Sequence, residues 1–120
     1  MPPKQTKTAK RTVRAGDVVA VDFPGITGLK RRPAVVVSTD AYHVARPDVI
    51  IGIITSQIAS ATAPTDYVLR DWIAAGLRRP SAFRAFIATV PVSSLRIIGH
   101  LSDPDWQEVL TRLKRAISTP

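Results

Sequence analysis

The 120-residue sequence has no cysteine, one glutamate, one methionine and two histidines, His43 and His100. Without cysteine there is no disulfide framework, no Cys-rich zinc site and no thiol nucleophile. A metal centre needs three or four convergent ligands, and two distant histidines with the single Glu108 form no recognisable set, so neither a metal nor a cofactor is expected. Aromatic residues make up 6% of the chain, too few for a platform that binds single strands by stacking alone. Long apolar runs are also missing. The strongest, residues 49–54, is interrupted by Gly52 and falls far short of the ~20 residues that a membrane-spanning helix requires. The basic start of the chain is not followed by the apolar segment of a secretory signal. These absences predict a soluble, cytoplasmic protein with no membrane attachment.

What the chain has in excess is positive charge, with 17 Lys and Arg against 9 Asp and Glu for a net +8. That balance points to a polyanion, an anionic surface or an acidic protein partner. The charge is unevenly placed. Lys4, Lys7, Lys10, Arg11 and Arg14 stand among Pro, Thr, Gln and Ala, and residues 1–15 read as a flexible basic arm. Residues 16–120 then form a single domain with a net charge of only +3, and the 45% apolar content is ordinary for a chain that closes one core.

Beyond Gly16, β-branched runs alternate with turn residues. Strands are predicted at 18–23, 34–38, 49–55, 67–69, 81–88 and 96–101, with a loop from Pro24 through Gly28 and a polar loop over 40–46 that leaves His43 solvated. The third strand has no polar face and is expected at the centre of the sheet. A helical turn over 71–75 stops at Gly76. Near the C-terminus the period changes: Trp106, Val109, Leu110, Leu113 and Ile117 make one apolar helical stripe. Ser102 or Asp103 caps this helix, Pro104 suits its first turn, and Asp105 and Glu108 complement its dipole. Capping also explains the pair Asp103 and Asp105 more simply than an acid/base couple does. Short strands plus one terminal helix suggest a mainly β fold, a small twisted barrel.

Two segments suggest chemistry. In Lys30-Arg31-Arg32-Pro33, Lys30 and Arg31 suit either a solvated turn or a groove, while Arg32 at the mouth of a strand can offer a phosphate a fixed, planar, bidentate contact. Arg78-Arg79-Pro80 repeats the arrangement ahead of the strand that carries Arg84. The second segment, Thr55-Ser56-Gln57, ends the most apolar strand, where its hydroxyls either terminate the strand on their own backbone or build a site. Gly25, Gly28 and Lys30 lack the following Ser or Thr of a phosphate-binding loop.

The ordered set Gly16-Asp17-Val18, Val21-Asp22-Phe23-Pro24, Arg31-Arg32-Pro33-Ala34-Val35-Val36-Val37-Ser38, Ile54-Thr55-Ser56-Gln57, Ala75-Gly76-Leu77, Pro80-Ser81, Arg84 and Ile98-Gly99 resembles the MazF/PemK family of toxins from type II toxin-antitoxin modules. The resemblance implies an SH3-like barrel with a C-terminal helix. It further implies a homodimer, a metal-independent endoribonuclease activity on single-stranded RNA such as mRNA, and a cognate acidic antitoxin of the MazE/PemI kind. By similarity Arg32 and Thr55 match the catalytic positions, and Lys30, Arg31, Ser56, Gln57 and Arg84 match RNA-binding ones. The loop over 24–30 corresponds to a mobile loop beside the RNA groove. Two positions after Arg84, where some relatives carry an acid, this chain has Phe86. Two alternative readings stand beside this one. They are a non-catalytic gyrase inhibitor of the same barrel architecture, resembling CcdB, and a basic module that only neutralises phosphates.

Overall fold

A computed structural model describes residues 12–25 and 28–118 of the chain. The elements in chain order are β1 (Asp17–Gly25), β2 (Gly28–Val36), α1 (Asp40–Ala45), β3 (Asp48–Thr55), β4 (Tyr67–Val68), β5 (Ala82–Pro91), β6 (Leu95–His100) and α2 (Asp103–Ala116), with single 3-10 turns at Ile58–Ser60 and Val92–Ser94. The strands form one curled antiparallel sheet, a half-barrel, in the order β4-β5-β3-β2-β1-β6. The mainly β fold with a terminal helix is as the sequence predicts. Strand β3 does lie inside the sheet.

Both faces of the sheet are buried, which is why its inner strands read as unbroken apolar runs. On one face Val18, Val35, Ile54 and Phe83 pack with Leu101, Val109 and Leu113 at the C-terminal helix. On the other, Val19, Val21, Ala34, Val36, Val49 and Ile51 form a second core, joined by Val13. The basic arm expected over 1–15 lies outside the described residues as far as residue 11, and Val13 in its last stretch is buried. Gly52 admits the Phe83 ring, because a Cβ there would stand 2.5 Å from Phe83 Cε1.

Several local expectations need correction. The stretch Lys30 to Pro33 is not loop but the first half of β2, paired with β1 from Gly25↔Gly28 to Val18↔Val35. Its charged residues hide the strand from a hydrophobicity pattern. Residues 40–45 form α1, capped by Thr39, whose Oγ1 accepts the Tyr42 N–H. His43 is half-buried there, with Nε2 2.6 Å from Ser38 Oγ, which also accepts the Ile50 N–H at 3.0 Å. The expected stripe of α2 holds in its middle: Val109 and Leu113 are buried and Trp106 packs against the core. Asp105 joins that buried face unexpectedly, while Ile117 lies beyond the helix end and is half exposed. Among the described residues no helix is long and apolar enough to cross a membrane.

Candidate nucleic-acid cleft

The ladder between β2 and β3 runs only from Val36↔Ile51 to Ala34↔Ile53. The next residue of β2 is Pro33, which has no N–H with which to extend it. Beyond that point the strands part. Continued by two residues, the register would set Arg32 opposite Thr55; because the strands separate there, the two become opposing lips of a cleft of about 510 Å³. A strand-breaking proline beside an arginine thus opens a groove and places a guanidinium at its mouth.

Five arginines line this cleft: Arg31 and Arg32 from β2, Arg78 and Arg79 from the segment before β5, and Arg96 from β6. No carboxylate and no imidazole is in the lining. Arg31 is held by Asp22 on the neighbouring strand, Nε to Oδ1 at 3.1 Å and Nη2 to Oδ2 at 3.4 Å. The guanidinium groups of Arg32, Arg78, Arg79 and Arg96 have no hydrogen-bond or ion-pair partner among the described residues. Arg96 reaches the cleft because it pairs with Ala20, whose small side chain leaves the floor open. Convergent guanidinium groups of this kind suit phosphate oxygens.

Of the residues that the sequence singled out, Arg31, Arg32, Thr55, Ser56 and Gln57 meet in the cleft. Thr55 Oγ1 accepts the Gln57 N–H at 3.1 Å, so the hydroxyl does end the strand on its own backbone, and its proton remains available to a ligand. Lys30 is exposed on β2 outside the lining, and Arg84 does not join either. Arg84 stands opposite Ile53 in the ladder, and its Nε lies 3.8 Å from Oδ1 of the buried Asp66. Beside it the register steps from Ile53↔Arg84 to Gly52↔Ile87, leaving Ala85 and Phe86 as the extra residues of a bulge; Ala85 packs against the core, and Phe86 is exposed. His100 is a brace: its Nδ1 lies 2.9 Å from Oδ1 of the fully buried Asp17, whose Oδ2 accepts the Arg14 N–H.

Residues 14–117 match the family of PemK-like, MazF-like toxins of type II toxin-antitoxin systems. The chain belongs to this family. Comparison with curated proteins finds no match. Among solved structures, an endoribonuclease in complex with its cognate antitoxin from a mycobacterial species is 20% identical, with a TM-score of 0.74 over 91% of this chain and 100% of that one. A MazE-MazF structure from Deinococcus radiodurans is 18% identical, with a TM-score of 0.71 over 92% of this chain and 100% of the other. The Mycobacterium tuberculosis toxin MazF-mt6 is 19% identical, with a TM-score of 0.67 over 83% of this chain and 94% of the other. At these identities the likeness is one of fold. In this member of the family the sequence reading missed Arg96, whose place in the cleft depends on the β1–β6 register.

Proposed function

We propose that this chain is the toxin of its module and acts as an endoribonuclease that cuts single-stranded RNA in the cleft where β2 and β3 part. The observation that carries the reading is that Arg32 and Thr55 line one groove together with four further arginines and no acid. In the reaction the ribose 2′-hydroxyl attacks the adjacent phosphorus and loses its proton. The P–O5′ bond breaks and the leaving oxygen takes up a proton, giving a 2′,3′-cyclic phosphate and a 5′-hydroxyl. Arg32 supplies two N–H donors to the non-bridging oxygens as charge builds on them, and the Thr55 hydroxyl donates a third. Ser56, Gln57 and the remaining arginines hold the flanking nucleotides. Lys30 and Arg84 contribute at most to the approach of the strand.

The cleft contains no side chain whose ordinary pKa lies near neutrality. Catalysis therefore rests on alignment and charge stabilisation, with the proton passing to solvent. Alignment of an intramolecular nucleophile contributes on the order of 7–11 kcal/mol in favourable cases. The rate should accordingly rise about tenfold per pH unit through neutrality, without the plateau that a His or Glu base would produce. The same cationic cleft suits an acidic antitoxin segment that competes with RNA, and the active unit is proposed to be a homodimer.

The test incubates the purified protein with labelled single-stranded RNA in EDTA, beside the same RNA with 2′-deoxy substitutions. Cleavage in EDTA that stops at 2′-deoxy sites and falls in Arg32→Ala and Thr55→Ala supports the mechanism. Binding without cleavage would reduce the protein to a phosphate-neutralising module, and gyrase inhibition with intact RNA would replace the reading altogether.

A further inference from the structure

Arg78 and Arg79 enter the cleft from a segment that belongs to no strand and no helix of its own, yet that segment is anchored at two points. The first is Asp105 in the opening turn of α2. Its fully buried carboxylate accepts the Tyr67 hydroxyl at 2.7 Å and the Arg70 N–H at 3.0 Å on Oδ1, and the Asp71 N–H at 2.8 Å on Oδ2. The Asp71 side chain closes a ring by accepting from Ser102 Oγ at 2.7 Å. The second anchor is a backbone-to-backbone contact. Gly76, at φ +84°, lies so close to β6 that a Cβ would collide with the Ile98 carbonyl, and a Cβ on Gly99 would collide with the Ala75 carbonyl. Leu77, Arg78 and Arg79 follow immediately and line the cleft, and Ser81 Oγ donates to the Arg79 carbonyl at 2.8 Å.

Capping does not account for Asp105. Ser102 is the N-cap, accepting the Asp105 N–H, so α2 begins properly without a buried carboxylate. Burying that charge is costly unless donors satisfy it, and two of its three donors are the successive amides that start the 70–79 segment. We infer that Asp105 is a positioning residue for the cleft: through the Arg70 and Asp71 amides it sets the path of the chain that presents Arg78 and Arg79 to the bound strand. The inference rests on the cleft being a polyanion site, as proposed above. A guanidinium on an unanchored loop would give up binding energy to its own ordering, whereas one on a fixed support does not.

The experiment compares the full-length wild type with Asp105→Asn, with the double variant R78A/R79A and with all three changes combined. The probe is a fluorescent 2′-O-methyl oligoribonucleotide, which cannot be cleaved, titrated at several salt concentrations. Asp105→Asn should weaken binding at least ~10-fold near physiological salt. It should also lower the slope of log K against log salt by up to about 1.4, the value for two lost phosphate contacts on a single strand. R78A/R79A should do the same, and adding Asp105→Asn to it should change nothing further. Equal further weakening by Asp105→Asn in that background would overturn the inference, since a general structural defect acts whether or not the arginines are present. Amide hydrogen exchange supplies a readout without ligand: Asp105→Asn should speed exchange over residues 70–79 while β1 to β3 stay protected, and unchanged exchange there would also sink the idea. If Asp105→Asn does not fold, Ser102→Ala opens the same ring more gently and should show smaller effects with the same non-additivity. Binding without RNA cleavage by the wild type removes the nuclease reading and leaves this one standing. If the wild type binds no oligonucleotide, the polyanion site on which the inference rests is absent and the inference is overturned.

Discussion

Arg32 in the cleft and Arg112 on α2 are the same residue type in opposite circumstances. Arg112 donates from Nη1 to the Asp66 carbonyl at 3.0 Å and the Pro64 carbonyl at 3.4 Å, and from Nη2 to Glu108 Oε1 at 3.3 Å. Its guanidinium carbon stands 5.4 Å from the centre of the Tyr67 ring. Arg32 is exposed and has no such partner among the described residues. The acids explain the contrast: Asp17, Asp66 and Asp105 are buried in braces, and none lines the cleft. A cation whose donors are spent on its own protein holds a loop in place. One whose donors are left open at a groove is available to a phosphate.

The largest effect that would sharpen this contrast is on catalysis. Arg32→Ala should lower the rate of RNA cleavage by roughly 100-fold or more, as expected for loss of a transition-state charge donor, with the melting temperature unchanged. An unaltered rate in a folded variant would break the comparison on the functional side. Arg112→Ala should act the other way round, costing about 1–3 kcal/mol in urea unfolding because carbonyls and a carboxylate lose their donor, with little change in cleavage per folded molecule. A variant that keeps its stability but loses activity would assign Arg112 to the site instead.

The smallest effect concerns pH. Burial, and then the hydrogen bond to the Asp105 carboxylate, push the Tyr67 hydroxyl well above the ordinary tyrosine range. Unfolded tyrosine ionises near ~10, so the contribution of this residue to stability is complete below that pH and is lost as pH rises toward the higher value of the folded state. Tyr67→Phe should flatten the alkaline limb of the stability curve while costing about 1 kcal/mol at neutrality for the lost hydrogen bond. Chemical denaturation between pH 7 and 11 measures both, and an alkaline limb identical to that of the wild type would contradict the placement of this hydroxyl.

Much of the fold was legible because burial on both faces of a sheet demands continuous β-branched residues, as in β1 and β3, and because a surface helix demands an apolar stripe and a cap, as in α2. The start of β2 and the whole of α1 were not legible. Lys30, Arg31 and Arg32 show no apolar alternation, and none of the residues of α1 is buried. The site was legible by halves. Arg32 and Thr55 each end an apolar run, a place where polar groups signal a purpose. Arg84 looked equivalent until its neighbour proved to be Asp66, 18 positions earlier in the chain.

By itself the sequence determined which runs become strands, where the last helix begins, and that an excess of cations faces few acids, since all of these follow from local pattern and composition. Only the tertiary structure decided which cations are spent and which are left open. That depends on the parting of β2 and β3 at Pro33, on the register that brings Arg96 beside Ala20, and on the carboxylate of Asp105 reaching amides more than thirty residues away. Hydrogen bonds and ladders are made between partners in space, and composition carries no record of who meets whom.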